Sequence, residues 1–267
     1  LLQRSTRSIA LTSEGELLFA RSTDLLEELR QTEGAVSAGR ALVKGRLKVS
    51  LPTVLARRVI VPRLGEFMAA YPEVQLDITL DDRVIDVIGG GYDLALRTGD
   101  LLDSGLVGKR IGRHCFVVCG SPAYFATHAK PLDPDDIDGH LCLRFRYPSS
   151  GQLETWAFKG RPAKKSFGRT LIFNDSDAVL AAALAGIGVA QLPDYATSAA
   201  EAQGLLQVVL AEHAQDRGGL WIVWPPSRRE LPRIKVFSEF LANAVAPLGQ
   251  RQLPDAWEAD ANALIEI

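Results

Sequence analysis

The sequence lacks the features that would commit it to a membrane, an oxidising compartment or a catalytic class. No apolar run approaches the roughly 18 residues that a spanning helix needs, and no apolar signal core is visible. Cysteine occurs three times in 267 residues, at Cys115, Cys119 and Cys142. An odd, small count suits a reducing compartment, so a cytoplasmic protein is expected. Cys115 and Cys119 share the strand-like stretch HCFVVCG. Their separation along a strand is roughly 13 Å at about 3.3 Å per residue. A disulfide needs Cα atoms within about 7 Å, so these thiols are expected in the core.

Charge of one sign is missing too. Thirty basic residues face 32 acidic ones, for a net charge of −2. The chain as a whole therefore has no electrostatic footprint for nucleic acid, and DNA contact must come from a local patch or from a part outside this sequence. There is no G-x-S-x-G nucleophile turn. The histidines, His114, His128, His140 and His213, follow no metal-binding spacing. His140 and Cys142 alone are too sparse for a zinc site. No catalytic residue, metal or cofactor is expected, and the chain reads as a non-enzyme.

What is present is a long helix followed by an α/β pattern. Ser13-Glu14-Gly15-Glu16 has capping-box spacing, and a helix is expected from there to about Val43, interrupted at Gly34. Its Leu18, Leu25, Leu26, Leu29 and Val36 fall near heptad spacing. Such a stripe leaves apolar surface in water unless a partner covers it, which suggests a dimer contact. After Gly45, alternation predicts a strand over Arg46–Leu51, and Pro52-Thr53 opens a helix that Pro62 divides. Further strands are expected at 74–80, 92–97, 106–111, 115–119, 141–146, 155–159, 169–173, 189–192, 205–209 and 220–224. Helices are expected at 82–88, from Ser121-Pro122, and at 178–185, 194–202 and 232–246. The initial β-α-β-α-β order implies parallel strands. The acidic tail from Leu248 is weakly patterned.

The run GGGYDLALRTG fails as a phosphate loop, because its glycines close a helix and precede a strand. Three turns suggest small-molecule binding. Pro52, Thr53, Val54 and Leu55 form a strand-to-helix turn whose amides and dipole favour an anion. Arg97, Thr98 and Gly99 end a strand, and Asn174-Asp175 is another strand-to-helix turn. All three lie at strand carboxyl ends, where open α/β sheets bind ligands.

The order of several short motifs resembles the LysR-type transcriptional regulators. Leu2-Gln3-Arg4-Ser5-Thr6-Arg7 with Leu11-Thr12-Ser13-Glu14-Gly15 resembles that family's L-F-x-R-x-x-R-x-x-x-L-T-x-x-G segment, with Gln3 where Phe is usual. Gly45-Arg46-Leu47-Lys48-Val49, Phe67 with Tyr71-Pro72, and Tyr92-Asp93-Leu94-Ala95-Leu96-Arg97 with Gly99 follow in order. So do Asp103-Ser104-Gly105-Leu106, Ser121-Pro122-Ala123-Tyr124-Phe125, His140-Leu141-Cys142-Leu143, the stretch Ala182–Ala190 with Leu192-Pro193, and Trp224-Pro225-Pro226-Ser227.

The resemblance implies an α/β, two-lobed, periplasmic-binding-protein-like (type 2) effector domain. A long linker helix and a remnant of a winged helix-turn-helix would precede it. The wing remnant would be residues 1–12, with Arg4 and Arg7 on phosphates, and the recognition helix would lie upstream of Leu1. The linker helix would span 13–44, lobe I 45–118 plus 195–246, lobe II 119–194 and the tail 247–267. The resemblance further implies promoter DNA as partner, a homodimer or homotetramer, and a small anionic effector in the interlobe cleft, where Arg144 adds charge and Phe145 apolar contact. A periplasmic-type solute receptor would share the two-lobed fold and stands as the alternative.

Overall fold

The computed structural model describes residues 1–4, 9–38, 43–83, 85–101, 104–250 and 264–266. It comprises two compact units, Leu1–Lys44 and Gly45–Ile267. Arg7, the lower half of the expected helix stripe (the side chains of Leu29 and Val36) and most of the tail lie outside what is described.

The first unit holds an antiparallel hairpin, β1 (Leu2–Arg4) and β2 (Ile9–Leu11), and the helix α1 (Ser13–Ala38). Arg4 sits on β1. The cap is one residue earlier than the S-x-x-E spacing suggests: the Thr12 hydroxyl accepts from the Gly15 amide at 3.1 Å. Gly15 is required there, since a Cβ would fall 1.9 Å from the Leu1 carbonyl oxygen. Gly34 does not stop α1. Leu17, Leu18, Phe19, Leu25 and Leu26 are all exposed on it.

The second unit begins with β3 (Gly45–Leu51), whose Leu47, Val49 and Leu51 are fully buried. A helical run follows: α2 (Thr53–Leu55), a π-helical turn (Ala56–Ile60), a 3-10 turn (Val61–Arg63) and α3 (Leu64–Ala70). Pro62 does not break the run; it falls in the 3-10 turn. Next come β4 (Val74–Leu80) and β5 (Leu94–Gly99), both parallel to β3. The helix expected at 82–88 is absent from the described residues there. Local side chains take the backbone amides instead: Asp81 accepts from Arg83 N at 2.9 Å and Asp86 from Gly89 N at 2.7 Å, the competition by which Asp disfavours helix.

The strands expected at 106–111 and 115–119 are one strand, β6 (Val107–Gly120). Then follow α4 (Pro122–Phe125), β7 (Leu141–Phe145), β8 (Arg169–Phe173), α5 (Ser176–Leu184), β9 (Val189–Pro193) and α6 (Asp194–Ala202). The chain closes with β10 (Gln207–Val209), β11 (Gln215–Trp224), α7 (Pro232–Val245) and β12 (Leu264–Glu266). No strand forms at 155–159 beyond a bridge between Trp156 and Lys164. The Gln191 side chain takes both backbone groups of Ala157, at 3.0 and 2.9 Å.

The sheet path runs β4-β3-β5-β11-β6-β9-β7-β8, with β10 and β12 also on β6. β6 carries it from one end to the other. Its first half pairs antiparallel with β11 up to Val107↔Trp224, and its second half with β9, Phe116↔Pro193 to Cys119↔Ala190. Beyond β9 the pairs β9·β7 and β7·β8 are parallel. Separate apolar clusters serve the two ends of the path. Val87, Ala95, Leu106 and Val223 gather at one. Leu143, Val179, Leu180 and Leu192, and on another face Trp156, Phe158, Ile137 and Cys142, gather at the other. All three cysteines are buried, and burial pushes the Cys142 thiol up to about 12, which leaves it unreactive.

Candidate functional site

Where the two ends of the sheet meet along β6, strand carboxyl ends converge on a cavity of about 170 Å³. Pro52 and Val54 enter from just after β3, Asp81, Asp82 and Arg83 from just after β4, and Arg97 and Thr98 from β5. His114 and Phe116 come from the middle of β6, Phe145 and Tyr147 from the end of β7, and Leu192, Pro193 and Tyr195 from β9 and the start of α6. Glu154 and Ser176 complete the lining. An adjoining cavity of about 200 Å³ shares Val54, Asp81, Asp82, Arg83 and Ser176 and adds Thr53, Asn174 and Asp175. The three turns singled out in the sequence are thus brought together.

Their chemistry differs from the expectation. At the first turn the Thr53 amide donates to Asp82 Oδ1 at 2.8 Å. The chain's own carboxylate occupies the place where an external anion was expected, and α2 is only three residues long. Leu55 is fully buried in the core. At the third turn Asp175 accepts from the Ala178 amide at 2.9 Å, as an N-cap of α5. Gly99 lines neither cavity; its carbonyl accepts from Trp221 Nε1 at 3.0 Å. Arg144 does not reach the cavity. Its guanidinium donates to the carbonyls of Glu154 and Lys165 and lies 4.4 Å from the Phe167 ring. Successive strand residues face opposite sides, so Phe145 lines the cavity and Arg144 points away from it.

Arg97 is a lining cation whose guanidinium is only partly hydrogen-bonded among the described residues. Its Nη1 donates to the Leu96 carbonyl at 2.9 Å and lies 3.4 Å from Ser50 Oγ. Its Nη2 is buried without a hydrogen-bond partner. Burial lowers the Arg97 pKa and the Asp81 carboxylate opposes that; a guanidinium stays charged regardless. Asp81 itself is bound to Arg83 by contacts of 2.8–3.0 Å, and that pairing holds its carboxyl below the usual range.

His114 is 8 % exposed, and its Nδ1 is also buried without a partner. Burial, aided by the nearby Arg217 guanidinium, holds its pKa down at about 4, against the pull of the Arg217 backbone. The ring is fixed edge-on to Phe116 and stacked with Tyr195. Glu154, 5 % exposed, accepts from Arg217 Nη1 at 3.0 Å and from the Tyr147 hydroxyl at 3.1 Å. Burial raises its pKa and the Arg217 partner resists. The same burial, with Glu154 close by, pushes the Tyr147 hydroxyl up to about 12. Arg217 also covers the Phe116 ring at 4.2 Å. Beside the cavities, Asp177 on α5 accepts from Arg57 and Arg58, both at 2.9 Å.

Sequence reasoning did not single out His114, Phe116, Tyr147, Glu154, Tyr195 or Arg217. His114 and Phe116 sit mid-strand, where only the run of β6 through the junction exposes them to a cleft. Glu154 follows a strand end by several residues, and no local signal marks it.

Comparison with known proteins agrees with this architecture. The LysR substrate binding domain family matches residues 40–246. The HTH-type transcriptional regulator YhjC of Escherichia coli K12 is 32 % identical over 249 residues, covering 92 % of this chain and 83 % of the relative. CrgA of Neisseria meningitidis serogroup C is 32 % identical over 245 residues, 90 % of this chain and 81 % of CrgA. The solved structure of CrgA, a LysR-type transcriptional regulator, superposes with a TM-score of 0.68 at 30 % identity, covering 94 % of this chain and 84 % of that one. Full-length AphB of Vibrio cholerae, at 23 % identity and a TM-score of 0.61, agrees in fold. The solute-receptor alternative finds no support among these relatives. The chain belongs to the LysR-type transcriptional regulators and carries their effector-binding domain, with its periplasmic-binding-protein-like fold.

Proposed function

We propose that this protein senses a small anionic metabolite in the cavity at the β6 junction and passes the binding event to promoter DNA. The observation that carries the reading is Arg97. A guanidinium that lines the cavity at a strand end, and whose bonds among the described residues are to the Leu96 carbonyl and Ser50 Oγ and not to a carboxylate, suits an anion. Residues 45–118 with 195–246 act as one lobe and 119–194 as the other, and β6 and β9 join them. Pro52, Val54, Arg97, Thr98 and Phe145 contact the effector, with Thr53, Asn174 and Asp175 at the adjoining cavity. Closure on the effector changes how copies pack, by the effector's differential affinity for the two states.

Association runs through α1, where Leu17, Leu18, Phe19, Leu25 and Leu26 are 50–65 % exposed. A dimer follows from one such face, and a tetramer from further contacts between effector domains. Arg4 and Arg7 belong to the wing and position the protein on phosphates without reading bases. The protein works in the cytoplasm and is not an enzyme.

A thermal-shift screen of the whole chain against carboxylates, amino acids, sugars and phosphate esters tests this. A saturable rise in Tm with a carboxylate, lost in Arg97→Ala, is expected, since binding to the native state stabilises it by mass action. A rise that survives Arg97→Ala, or hits confined to uncharged compounds, refutes the anion site.

A further inference from the structure

Independently of the cavity, we infer that the tail strand β12 is a strap over a pairing edge of β6, and that the edge beneath it is an association surface for a second copy of this chain, closed while the strap is in place.

The sheet geometry defines the edge. A strand residue can pair on two sides only. Phe116 uses both: Gln215 of β11 stands on one side and Pro193 of β9 on the other. β11 and β9 therefore flank β6 on opposite sides. β11 continues along β6 as far as Val107, whereas β9 covers only Phe116–Cys119. On the β9 side, the first half of β6 meets no strand from residues 45–246 among the described residues. The β4-β3-β5-β11 end of the sheet would stop there with an open edge.

β12 covers it. Leu264, Ile265 and Glu266 pair antiparallel with Lys109, Gly108 and Val107. The other side of those residues already holds Ile222, Val223 and Trp224 of β11, so β12 lies on the β9 side. With the strap in place Val107 is 3 % exposed and Gly108 is buried. The chain leaves α7 through a 3-10 turn (Ala246–Gln250) that lies against β6, and comes back to the same strand at Leu264. The family domain ends at residue 246, so the strap is an addition to the domain's own strands.

An uncovered edge presents a row of N–H and C=O groups to any extended segment, and proteins cover or charge such edges. Of Val107, Gly108 and Lys109 only Lys109 is charged, so the bare edge has little defence of its own. Two identical bare edges pair antiparallel about a twofold axis, which makes a second copy's β6 the partner that fits. Backbone pairing also explains how a strand of three residues serves as a cover: the hydrogen bonds come from the main chain. So short a strand is also releasable, because local opening costs far less than global unfolding.

Hydrogen exchange over residues 106–111 and sedimentation velocity test the two halves of the assignment. The samples are the whole chain, a chain ended after Gln250, and the whole chain with Leu264→Pro and Ile265→Pro. Successive amides of a strand point to opposite sides, so the two prolines remove whichever amide faces β6. Exchange at 106–111 is expected to rise about tenfold in both variants while β3 stays protected. Both variants are expected to form larger assemblies than the whole chain at equal concentration. Excess peptide of residues 255–267 restores slow exchange and the original assembly to the shortened chain. Leu264→Ala with Ile265→Ala keeps both amides and is expected to keep most of the protection. Unchanged exchange in the shortened and proline variants overturns the strap. Equal loss of protection in β3 overturns it too, because the tail is then part of the core fold. Faster exchange with no growth of the assembly overturns the association surface.

Discussion

Two strand ends face the same cavity and have opposite fates. At the end of β3, the amide of Thr53 is already taken by Asp82 at 2.8 Å. At the end of β5, Arg97 keeps a buried donor unfilled. Both look like anion sites by sequence pattern, yet only one is filled. A helix start supplies partial charge that any nearby Asp can satisfy. A guanidinium beside apolar walls has fewer internal options, and part of its hydrogen-bonding capacity is left unused. The Glu154–Arg217 pair, 3.0 Å apart, is the internal counterpart: the same chemistry as Arg97 with a ligand, closed within the chain.

The largest effect is expected from breaking that closed pair. Arg217→Ala leaves Glu154 buried with the Tyr147 hydroxyl against it, and loss of one partner of a buried pair costs about 3–5 kcal/mol. Urea unfolding at pH 7 measures it. Because burial raises the Glu154 pKa, the loss shrinks as pH falls through that raised value. Arg217→Met with Glu154→Gln recovers most of the stability. A loss below about 1 kcal/mol in the single variant would show that the pair is solvated, and the contrast with Arg97 would fall.

His114 gives the next effect. Its pKa falls from 6.5 unfolded to about 4 in the folded chain. Between those values the unfolded state binds more protons, so stability is full above pH 6.5 and declines as pH falls to 4, by about 3 kcal/mol in all. Raising Glu154 acts in the opposite sense, costing stability as pH rises from the ordinary carboxylate range. The difference between wild type and His114→Gln isolates the histidine. Parallel pH profiles for the two proteins would show that His114 is solvated and not an unfilled buried partner.

Asp82→Ala tests the filled strand end directly. Losing the bond to Thr53 costs about 1 kcal/mol, as for a lost cap. The freed amide should then make stability respond to phosphate or acetate more than it does in the wild type. Absence of that response would show that the helix start is too short to attract an anion even when vacated.

Much of the sheet could be read from alternation and turn residues. The cavity was legible at strand ends, because open α/β sheets form crevices there, and Pro52, Val54, Arg97, Thr98 and Phe145 do reach it. Arg144 and Phe145 could not both face it, as strand period alone dictates. His114 and Glu154 were not legible, for their exposure to the cavity depends on which strands meet. The register shifts between β6 and β11, between Asp216 and Gly219 and between Leu220 and Trp221, belong to that meeting. Gly218 lies in the first of them, at φ +85°, and a Cβ there would sit 2.4 Å from the Gly99 carbonyl carbon. No local pattern announces so close a backbone approach.

The smallest effect concerns Asp177, whose partners Arg57 and Arg58 have side chains 53 % and 44 % exposed. Burial raises the Asp177 pKa, but the hydrogen bonds from Arg58 and Arg57 outweigh it and the net shift is down. Its contribution is therefore present above the ordinary carboxylate pKa and lost only as pH falls through the lowered one. Exposed pairs of this kind give about 0.2–1 kcal/mol and are screened by salt. Arg58→Ala alone should shift stability by less than about 1 kcal/mol. The double change with Arg57→Ala should cost more than the two singles added, because either arginine alone still holds the shared carboxylate. These contacts join the run after β3 to α5, on both sides of the cavity that Val54 and Ser176 line. The double variant should then release a bound carboxylate several-fold faster with little change in association, read by stopped-flow displacement. If only stability moves, the three residues are a surface brace, and retention of the ligand rests on Arg97 alone.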